Sequence, residues 1–297
     1  MARWIGVAIA GIALLVAAGL GVLYGLTGWR FSRTYSISIS PPAIPADAAT
    51  IARGEHLVVA IAKCIDCHGV DLGGNLLVDD PMLGRLAGPN LTRGRGGVGG
   101  QLKDEDWVRA LRHGVARDGR ALKFMPAQET SKLTDEDLAA VIAYAKSVPP
   151  VDREMLPTAY GPLGRFLVLR GEIEISAEIV DHGAKAVPSR KVEPTVEYGD
   201  YLAHVGGCVV CHGPSLSGGH VPGSPPWLPP AANITPTGIG SWTEEQFFTA
   251  LRTGARPDGS RIDPFMPWAA TSKMTDEETR ALYLYLKTVP PRPTGNR

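Results

Sequence analysis

Apolar residues are distributed unevenly along the chain, and the densest run lies at its beginning. Residues 4–28 carry no charged side chain, and Ile5–Leu23 contains only Ile, Val, Leu, Ala and Gly. About 20 apolar residues are enough to cross a bilayer as one helix, and Tyr24 and Trp29 follow where interfacial aromatic anchors are expected. We therefore predict a transmembrane anchor over residues 4–28. The competing interpretation is a cleavable signal peptide, whose apolar core is normally shorter.

The segment after this run has no helical periodicity until Asp47. Residues 29–46 contain three prolines, at positions 41, 42 and 45, and this composition predicts a stiff, extended tether. Asp47 is a suitable helix N-cap, so we expect the first domain to begin there, with a helix that runs to about residue 62.

Two later helices have the same start and stop signals. Thr134 and Thr275 each precede an acidic turn, and Asp137 and Glu278 stand three positions further on, as in a capping box. Apolar residues then recur at helical spacing, and a Val-Pro-Pro triplet ends each helix. These signals predict an all-α fold in which long loops connect short helices.

The two halves of the chain repeat each other. The matched segments are Gly54–Leu57 with Gly199–Leu202, Cys64–Gly69 with Cys208–Gly213, Asn90–Thr92 with Asn233–Thr235, Ala110–Gly114 with Ala250–Gly254, Phe124–Pro126 with Phe265–Pro267, and Ser131–Glu136 with Ser272–Glu277. Copies this similar indicate two homologous domains. We place them at residues 47–150 and 198–292, with an inter-domain linker over residues 151–197.

Polar and apolar residues alternate within that linker. The alternation is strict from Glu172 to Ile179, which is the period of a β-strand. We favour a simple linker that packs on both domains. The alternative is that this strand, with Phe166–Leu169 just before it, forms a hairpin that bridges the domains or docks a partner.

All four cysteines belong to two Cys-x-x-Cys-His motifs, Cys64–His68 and Cys208–His212. This motif is the covalent attachment site of haem c, because two thiols three positions apart reach both vinyl groups of a porphyrin. The adjacent histidine then offers a ring nitrogen to the iron. We therefore predict two covalently bound haem c groups. One is attached to Cys64 and Cys67 with His68 as iron ligand, and the other to Cys208 and Cys211 with His212 as iron ligand. A structural zinc site is the alternative, but it leaves both histidines unexplained.

Met125 and Met266 are the predicted second axial ligands. Both stand between Phe and Pro at the same place in the repeat, and the proline favours an extended backbone that projects the thioether from a loop. Met82 has no methionine counterpart and Met274 stands opposite a leucine, so core packing explains them. Among the other histidines, His220 is the alternative ligand to watch.

The proximal histidines need a hydrogen bond at their second ring nitrogen, commonly to a backbone carbonyl. The loops at Gly88-Pro89 and Ala231-Ala232 are candidates to supply it. The Asn90–Thr92 and Asn233–Thr235 triplets are in position either to reach haem propionates or to act as surface loop residues. His113, at a helix end, is expected to bond the last carbonyls of that helix.

Composition limits the classes of partner. The 297 residues allow about two domains. The 30 acidic and 30 basic residues balance, so the net charge does not predict a nucleic-acid partner. The 35 glycines and 25 prolines suit short helices and loops around a large apolar cofactor, which supplies much of the core.

The second repeat carries additional short motifs. They are Asn233–Pro236, Gly238–Gly240, Trp242, Asp258-Gly259 and Phe265–Trp268. Over both repeats the chain resembles the class I cytochrome c family. With these motifs it is also similar to the cytochrome c subunits of bacterial membrane-bound dehydrogenases of the alcohol, gluconate or aldehyde type. Those subunits often carry three haem domains, whereas two are present here.

This resemblance implies single-electron transfer between a periplasmic dehydrogenase or other donor and a respiratory acceptor, without catalysis by the chain itself. The implied redox partners are a dehydrogenase subunit, a quinone-linked complex or a terminal oxidase. Because haem c is attached outside the cytoplasmic membrane in bacteria, we expect the haem domains on the periplasmic side of that membrane. The alternative is a di-haem peroxidase, which needs one iron without a methionine, whereas the two methionines here are matched.

Overall fold

The computed structural model describes residues 1–296, and its secondary structure is mostly helical, as predicted. Helix α1 (Ala2–Ser32) is long and apolar enough to cross a membrane, with a mean hydropathy of 2.5 in its most apolar part. The helix continues from residue 28, where the predicted anchor ends, to residue 32. Thr27 and Phe31 are buried, so contacts with the first domain hold the last turns in helical form.

The rest of the predicted tether is extended, and it lies along the first domain. The Tyr35 N–H donates to the Gly119 carbonyl at 2.8 Å. Ile39 and Ile44 pack against the main hydrophobic core. Residues 35–44 of the predicted tether are therefore packed against the folded part of the chain.

The first domain is formed by short helices and two strands around one core. Its elements are α2 (Ala48–His56), a π-helical turn (Leu57–Ile61), α3 (Cys64–His68), β1 (Asn75–Asp80), β2 (Gly84–Gly88), α4 (Asp104–His113), α5 (Ala127–Thr130) and α6 (Asp135–Ser147). Asp47 caps α2 as predicted, because its carboxylate accepts a 3.0 Å hydrogen bond from the Thr50 N–H.

The segment predicted as a linker is folded onto the first domain. It contains β3 (Ala159–Tyr160), α7 (Pro162–Arg170) and α8 (Ser176–Ile179). Strand β3 pairs antiparallel with β2, which pairs antiparallel with β1. The result is a small three-stranded sheet, which was not predicted from the sequence.

The predicted strand over residues 172–179 is wrong. Its last four residues form α8, and Phe166–Leu169, the other half of the alternative hairpin, belong to α7. Residues 175–177 are all buried, so burial does not follow the alternation. The Ser176 hydroxyl donates to the Met125 carbonyl, and such tertiary contacts outweigh a short two-residue period.

The second domain repeats the helices of the first. Its elements are α9 (Val196–Val205), α10 (Cys208–His212), α11 (Pro236–Ile239), α12 (Glu244–Thr253), α13 (Trp268–Thr271) and α14 (Asp276–Thr288). Thr275 and Glu278 form the predicted capping box of α14. In the first domain Thr134 caps α6, but the Asp137 side chain instead bonds to other elements.

The first domain contains one additional residue before its cysteine motif. Ten positions separate Gly54 from Cys64, whereas nine separate Gly199 from Cys208. The π-helical turn Leu57–Ile61 accommodates this additional residue, as π-bulges inside helices do. Gly54 before the turn and the cysteine motif after it therefore keep the same places in the domain as Gly199 and the second motif.

Gly54 and Gly199 allow the first helix of each domain to cross the last helix at close range. A Cβ at Gly54 would lie 2.0 Å from the Ala140 carbonyl oxygen, and one at Gly199 would lie 2.0 Å from that of Ala281. No side chain fits at either position. The α2–α6 and α9–α14 crossings are thus the same, and the buried residues of both domains form one continuous cluster.

Candidate haem-binding sites

The two Cys-x-x-Cys-His motifs form short helices, α3 and α10. A residue in the left-handed conformation precedes each helix, Lys63 with φ of 52° and Gly207 with φ of 68°. This conformation is uncommon for a lysine, and its presence at the same place in both domains indicates that the turn is required. The four cysteines are half-buried and form no disulfide.

Both motif histidines are buried, and each is held by a backbone carbonyl. His68 Nδ1 lies 2.9 Å from the Pro89 oxygen, and His212 Nδ1 lies 2.6 Å from the Ala232 oxygen. These are the loops predicted to supply the bond. With Nδ1 as the donor, Nε2 becomes the basic ring nitrogen, which is the arrangement that an axial histidine requires. Burial also lowers the pKa of His68, which favours the neutral, ligating form.

A glycine brings the first of these carbonyls to its histidine. A Cβ at Gly88 would lie 1.9 Å from the Cys67 carbonyl oxygen, so only glycine permits this approach of β2 to α3. In the second domain Gly218 has φ of 73°, and a Cβ there would lie 2.3 Å from the Ala231 oxygen. The second domain therefore has a different close contact, since Ala231 stands where the first domain has Gly88.

The Asn-x-Thr triplets are buried structural elements and not surface residues. The Asn90 Oδ1 accepts from the Thr92 N–H at 2.9 Å and from the Thr92 hydroxyl at 2.8 Å, while its amide donates to the Val151 carbonyl at 2.7 Å. Asn233 makes the same bonds to Thr235. Each triplet therefore ties the loop after the histidine to the chain that follows the last helix of its domain.

Met125 and Met266 occupy equivalent loops. Both are partly buried and pack against the main core, as do Cys64 and Cys208. The Met125 carbonyl accepts a hydrogen bond from the Ala127 N–H at 2.9 Å, and the Met266 carbonyl accepts one from the Trp268 N–H at 2.7 Å. The prolines that follow have nearly the same ψ, 63° and 54°. The backbone that follows each methionine is therefore similar, whereas the approach to it differs, because Phe265 lies eleven positions after Gly254 and Phe124 only ten after Gly114.

The remaining methionines and His220 lie in other environments. Met274 is buried in the core and Met82 is exposed, and His220 is also exposed. The prediction for His113 is wrong, because its Nδ1 lies 3.1 Å from Nδ1 of His182 and not against helix carbonyls. Residue 182 is distant in sequence, so no local pattern indicated this pair.

The residues present fit haem c better than zinc. Within residues 1–296, no three His, Cys, Asp or Glu side chains come together as a group of metal ligands. Burial raises the pKa of Cys64 to about 12 and that of Cys67 to about 11, so both are thiols in the metal-free chain. Each domain instead offers two thiols, a buried histidine and a thioether loop, which is the donor set of a covalent haem.

A buried polar cluster joins the two domains. His56 Nε2 lies 2.7 Å from Glu278 Oε2, and the Tyr201 hydroxyl donates to Asp137 Oδ2 at 2.6 Å. His56 and Tyr201 are equivalent in the repeat, as are Asp137 and Glu278, so the two contacts are related by a pseudo-two-fold axis. Arg53 completes the cluster, with two 2.9 Å bonds to Asp137 and one of 3.3 Å to Glu278.

This interface was not predicted from the sequence. A signal existed, because Arg53 aligns with Tyr198, and His56 aligns with Tyr201, inside segments that otherwise match. Differences at equivalent positions are expected where two copies face each other, since each copy then has a different neighbour.

The two attachment helices begin side by side across this interface. The Lys63 ammonium donates to the Gly206 carbonyl and, at 3.1 Å, to the Ile61 carbonyl. Lys63 directly precedes α3, and Gly206 lies two positions before Cys208. On the same side, a Cβ at Gly207 would lie 2.6 Å from a carboxylate oxygen of Glu129. The beginnings of α3 and α10 are therefore neighbours.

Comparison with known proteins identifies both domains. Residues 49–144 match the family described as cytochrome c oxidase, cbb3-type, subunit III, and residues 196–290 match the cytochrome c family. These two ranges contain one Cys-x-x-Cys-His motif each.

Curated relatives include dehydrogenase cytochrome subunits and a di-haem protein. The chain is 40% identical over 109 residues to the fructose dehydrogenase cytochrome subunit of Gluconobacter japonicus (34% of this chain, 22% of the relative). It is 43% identical over 97 residues to the cytochrome c subunit of alcohol dehydrogenase (quinone) of Gluconacetobacter polyoxogenes (30% and 21%). A diheme cytochrome c-type protein of Cereibacter sphaeroides is 27% identical over 308 residues, covering 95% of this chain and 97% of the relative.

The chain therefore spans only about a fifth of the length of the dehydrogenase subunits that it matches, but nearly all of the di-haem protein. Two domain matches, two attachment motifs and this full-length relative agree on the number of haem groups. The chain is a di-haem cytochrome c with two covalently bound haem c groups, and it is related to the cytochrome subunits of dehydrogenases.

Proposed function

We propose that this chain is a membrane-anchored carrier that passes single electrons through its two haems, from a periplasmic dehydrogenase or other donor to a respiratory acceptor. The observation that carries the proposal is the position of α3 and α10, which begin side by side. The Lys63 ammonium, just before α3, donates to the Gly206 carbonyl, just before α10, so the N-terminal ends of the two helices are in direct contact. Cofactors attached to neighbouring helices are suitably placed for electron exchange inside one chain.

The proposed attachment residues are Cys64 and Cys67 for one haem and Cys208 and Cys211 for the other. The proposed axial ligands are His68 with Met125, and His212 with Met266. When bound, each haem supplies the one-electron redox couple, whose potential a thioether ligand raises. The protein positions the proposed ligands. The carbonyls of Pro89 and Ala232 orient the two imidazoles, and the Ser176 hydroxyl, which donates to the Met125 carbonyl, holds one methionine loop.

The equivalence of the two sites favours a carrier over the di-haem peroxidase alternative. A peroxidase needs one iron with an open position, and hence two different sites. Here both histidines meet a loop carbonyl, both triplets make the same bonds, and both methionines are followed by the same turn. A six-coordinate iron has no position open to substrate, so we propose no catalysis by the chain itself.

We propose that α1 is a retained anchor in the bacterial cytoplasmic membrane and that both domains lie on its periplasmic side. Thr27 and Phe31, in the last turns of α1, are buried, and both contact the segment folded onto the first domain: Thr27 accepts from Arg165, and the Phe31 ring stacks on Tyr160 at 5.7 Å. Cleavage within α1 would remove part of this packing. The proposed domains are residues 47–150 and 198–292.

The proposed partners are a dehydrogenase subunit on the donor side and a quinone-linked complex or terminal oxidase on the acceptor side. The relatives named as dehydrogenase cytochrome subunits support the donor class. The chain covers only about a fifth of each of those relatives, so the partner itself must be identified by experiment.

The first test is near-infrared magnetic circular dichroism of the oxidised, haem-loaded chain. This measurement reports the axial ligands of each low-spin haem. Two histidine–methionine signatures are expected. One high-spin haem, or one with two histidine ligands, would contradict the proposed equivalence and favour the peroxidase. Oxidation of the reduced chain by peroxide at a rate that saturates with peroxide concentration would also favour the peroxidase.

A further inference from the structure

Helix α7 is apolar on its outer surface as well as its inner one. Gly164 and Val168 are buried, whereas Leu163, Phe166 and Leu169 are exposed by 42%, 51% and 37%. These three side chains are spaced three positions apart and form one outward face. A surface helix of a water-soluble domain normally places polar residues on that face. Something other than water is therefore expected to cover it.

The same helix is held against the end of α1. The Arg165 guanidinium donates to the Thr27 hydroxyl at 2.6 Å and lies 4.2 Å from the centre of the Tyr24 ring. From α1, the Arg30 guanidinium donates to the Val168 carbonyl at 2.8 Å. Contacts at Tyr24, Thr27 and Arg30 cover about two turns of α1, so the height of α7 along α1 is well defined.

That height corresponds to the edge of a bilayer. A hydrocarbon core of about 30 Å accommodates about 20 helical residues, and the charge-free run of α1 ends at residue 28. The contacts with α7 begin at Tyr24 and extend past this end to Arg30. Trp29 is exposed at the same level, as is typical of aromatic residues in the headgroup region.

We propose that α7 lies in the outer headgroup region of the membrane, with Leu163, Phe166 and Leu169 inserted among the lipids. This inference rests on the proposed anchoring by α1. Met82, which is exposed, lies beside the start of α7, because its carbonyl accepts the Leu163 N–H at 2.9 Å. A short helix with an apolar face and arginines beside it suits this location.

The consequence is a fixed orientation of the haem domains on the membrane. A single spanning helix allows a domain to tilt and rotate, whereas a second contact beside it restrains both motions. Because β3, which directly precedes α7, pairs with β2, and β2 leads to the carbonyl that holds His68, the restraint is transmitted to the first haem domain.

The test uses the haem-loaded full chain in vesicles of phosphatidylethanolamine and phosphatidylglycerol. The native cysteines are consumed by haem attachment, so a new cysteine is the free thiol. Phe166→Cys is compared with Trp227→Cys, an exposed position in a loop of the second domain, and with Leu14→Cys in the middle of α1. The rate of reaction with a charged, water-soluble maleimide is measured. We expect Phe166→Cys to react about tenfold more slowly than Trp227→Cys, and Leu14→Cys to be protected as well.

Other outcomes separate the two proposals. Protection of Leu14→Cys together with rapid labelling of Phe166→Cys would refute the location of α7 and leave the anchor intact. Rapid labelling of Leu14→Cys would refute the anchor, and with it this inference. Protection of Phe166→Cys that is lost when the lipid-to-protein ratio is raised would identify a second copy of the chain as the cover, and would refute insertion into lipid.

Discussion

His68 and His212 illustrate how a single residue acquires its chemistry from a neighbour. An imidazole has two nitrogens, and a carbonyl at Nδ1 decides that Nε2 is the one available to a metal. The carbonyls of Pro89 and Ala232 do this in the two domains. The residues involved were predictable from sequence, since glycine- and alanine-rich loops follow each motif, but the bond itself depends on how each loop folds back.

Replacing either proposed methionine ligand should alter one haem only. In Met125→Ala or Met266→Ala we expect the potential of the corresponding haem to fall by on the order of 0.1 V, within the ~0.8 V range that axial ligation covers. The physical reason is the loss of a thioether that stabilises ferrous iron. Potentiometric titration of the haem absorbance measures the change. Met82→Ala, at an exposed position, is the control, and unchanged potentials in both ligand variants would contradict the assignment.

Asn90 is expected to contribute more to stability than an asparagine usually does. Asn90→Ala removes the buried acceptor of the Thr92 N–H and hydroxyl and the shorter of two hydrogen bonds to the Val151 carbonyl, so the free energy of unfolding should fall by about 3 kcal/mol. Urea denaturation followed by circular dichroism measures this. Asn75→Ala is the control, because Asn75 is exposed and makes one 3.2 Å bond. Equal effects of the two substitutions would refute the structural role of the triplet.

At the scale of elements, the two haem domains share their helix crossings but differ in how the chain enters the cysteine motif. The crossings follow from Gly54 and Gly199, which repeat in the sequence. The π-helical turn, Leu57–Ile61, follows from one additional residue. The three-stranded sheet and α8 were not predicted, because β2–β3 pairing and the burial of residues 175–177 depend on contacts between distant segments.

The close helix crossings predict an unusual response to alanine. Gly54→Ala or Gly199→Ala should decrease the free energy of unfolding by about 1–3 kcal/mol through overpacking, although alanine favours a helix by about 1 kcal/mol over glycine. Thermal unfolding of the haem-loaded chain measures the effect. Gly100→Ala is the matched control, since the nearest heavy atom lies 3.8 Å from its Cβ position. Higher stability of the Gly54 variant would mean that the helices separate without cost.

At the scale of the whole molecule, a pseudo-two-fold axis relates the two domains, and the polar cluster lies where they meet. Glu278 has a fully buried side chain and accepts from both Arg53 and His56. A buried carboxylate is tolerated when it is paired. The cluster therefore specifies one relative orientation of the domains, and hence of the two attachment helices.

Removing the charge of Glu278 should loosen the two domains from each other. In Glu278→Gln we expect a loss of about 3 kcal/mol of unfolding free energy, because Arg53 loses a buried partner, together with slower electron exchange between the haems. Flash photoreduction of one haem, followed by absorbance, measures the exchange. Glu277→Gln, at the neighbouring exposed position, is the control. An exchange rate unchanged by Glu278→Gln would show that other contacts set the haem arrangement.

The same carboxylate predicts a loss of stability in acid. Burial alone would raise the pKa of Glu278, but hydrogen bonds from His56 and the Thr275 N–H, with the charge of Arg53, outweigh it and hold the pKa below its ordinary value of 4.5. A depressed carboxyl pKa stabilises the folded state fully above the ordinary value, and this contribution disappears as pH falls through the folded value. Stability should therefore decrease below about pH 4.5, and less so in Glu278→Gln, when urea denaturation is repeated across pH.

By itself the sequence determined the number of domains, the two haem c groups, the loops that bond the histidines of the two motifs, and the apolar N-terminal helix. These features depend on spacing along the chain: two thiols and a histidine within five positions, a repeat, and an uninterrupted apolar run. Only the tertiary structure decided that residues 172–179 contain no strand, that α7 packs against α1, and that Arg53 meets Glu278. Those outcomes depend on which distant segments bury each other's polar and apolar groups, and spacing along one chain does not contain that information.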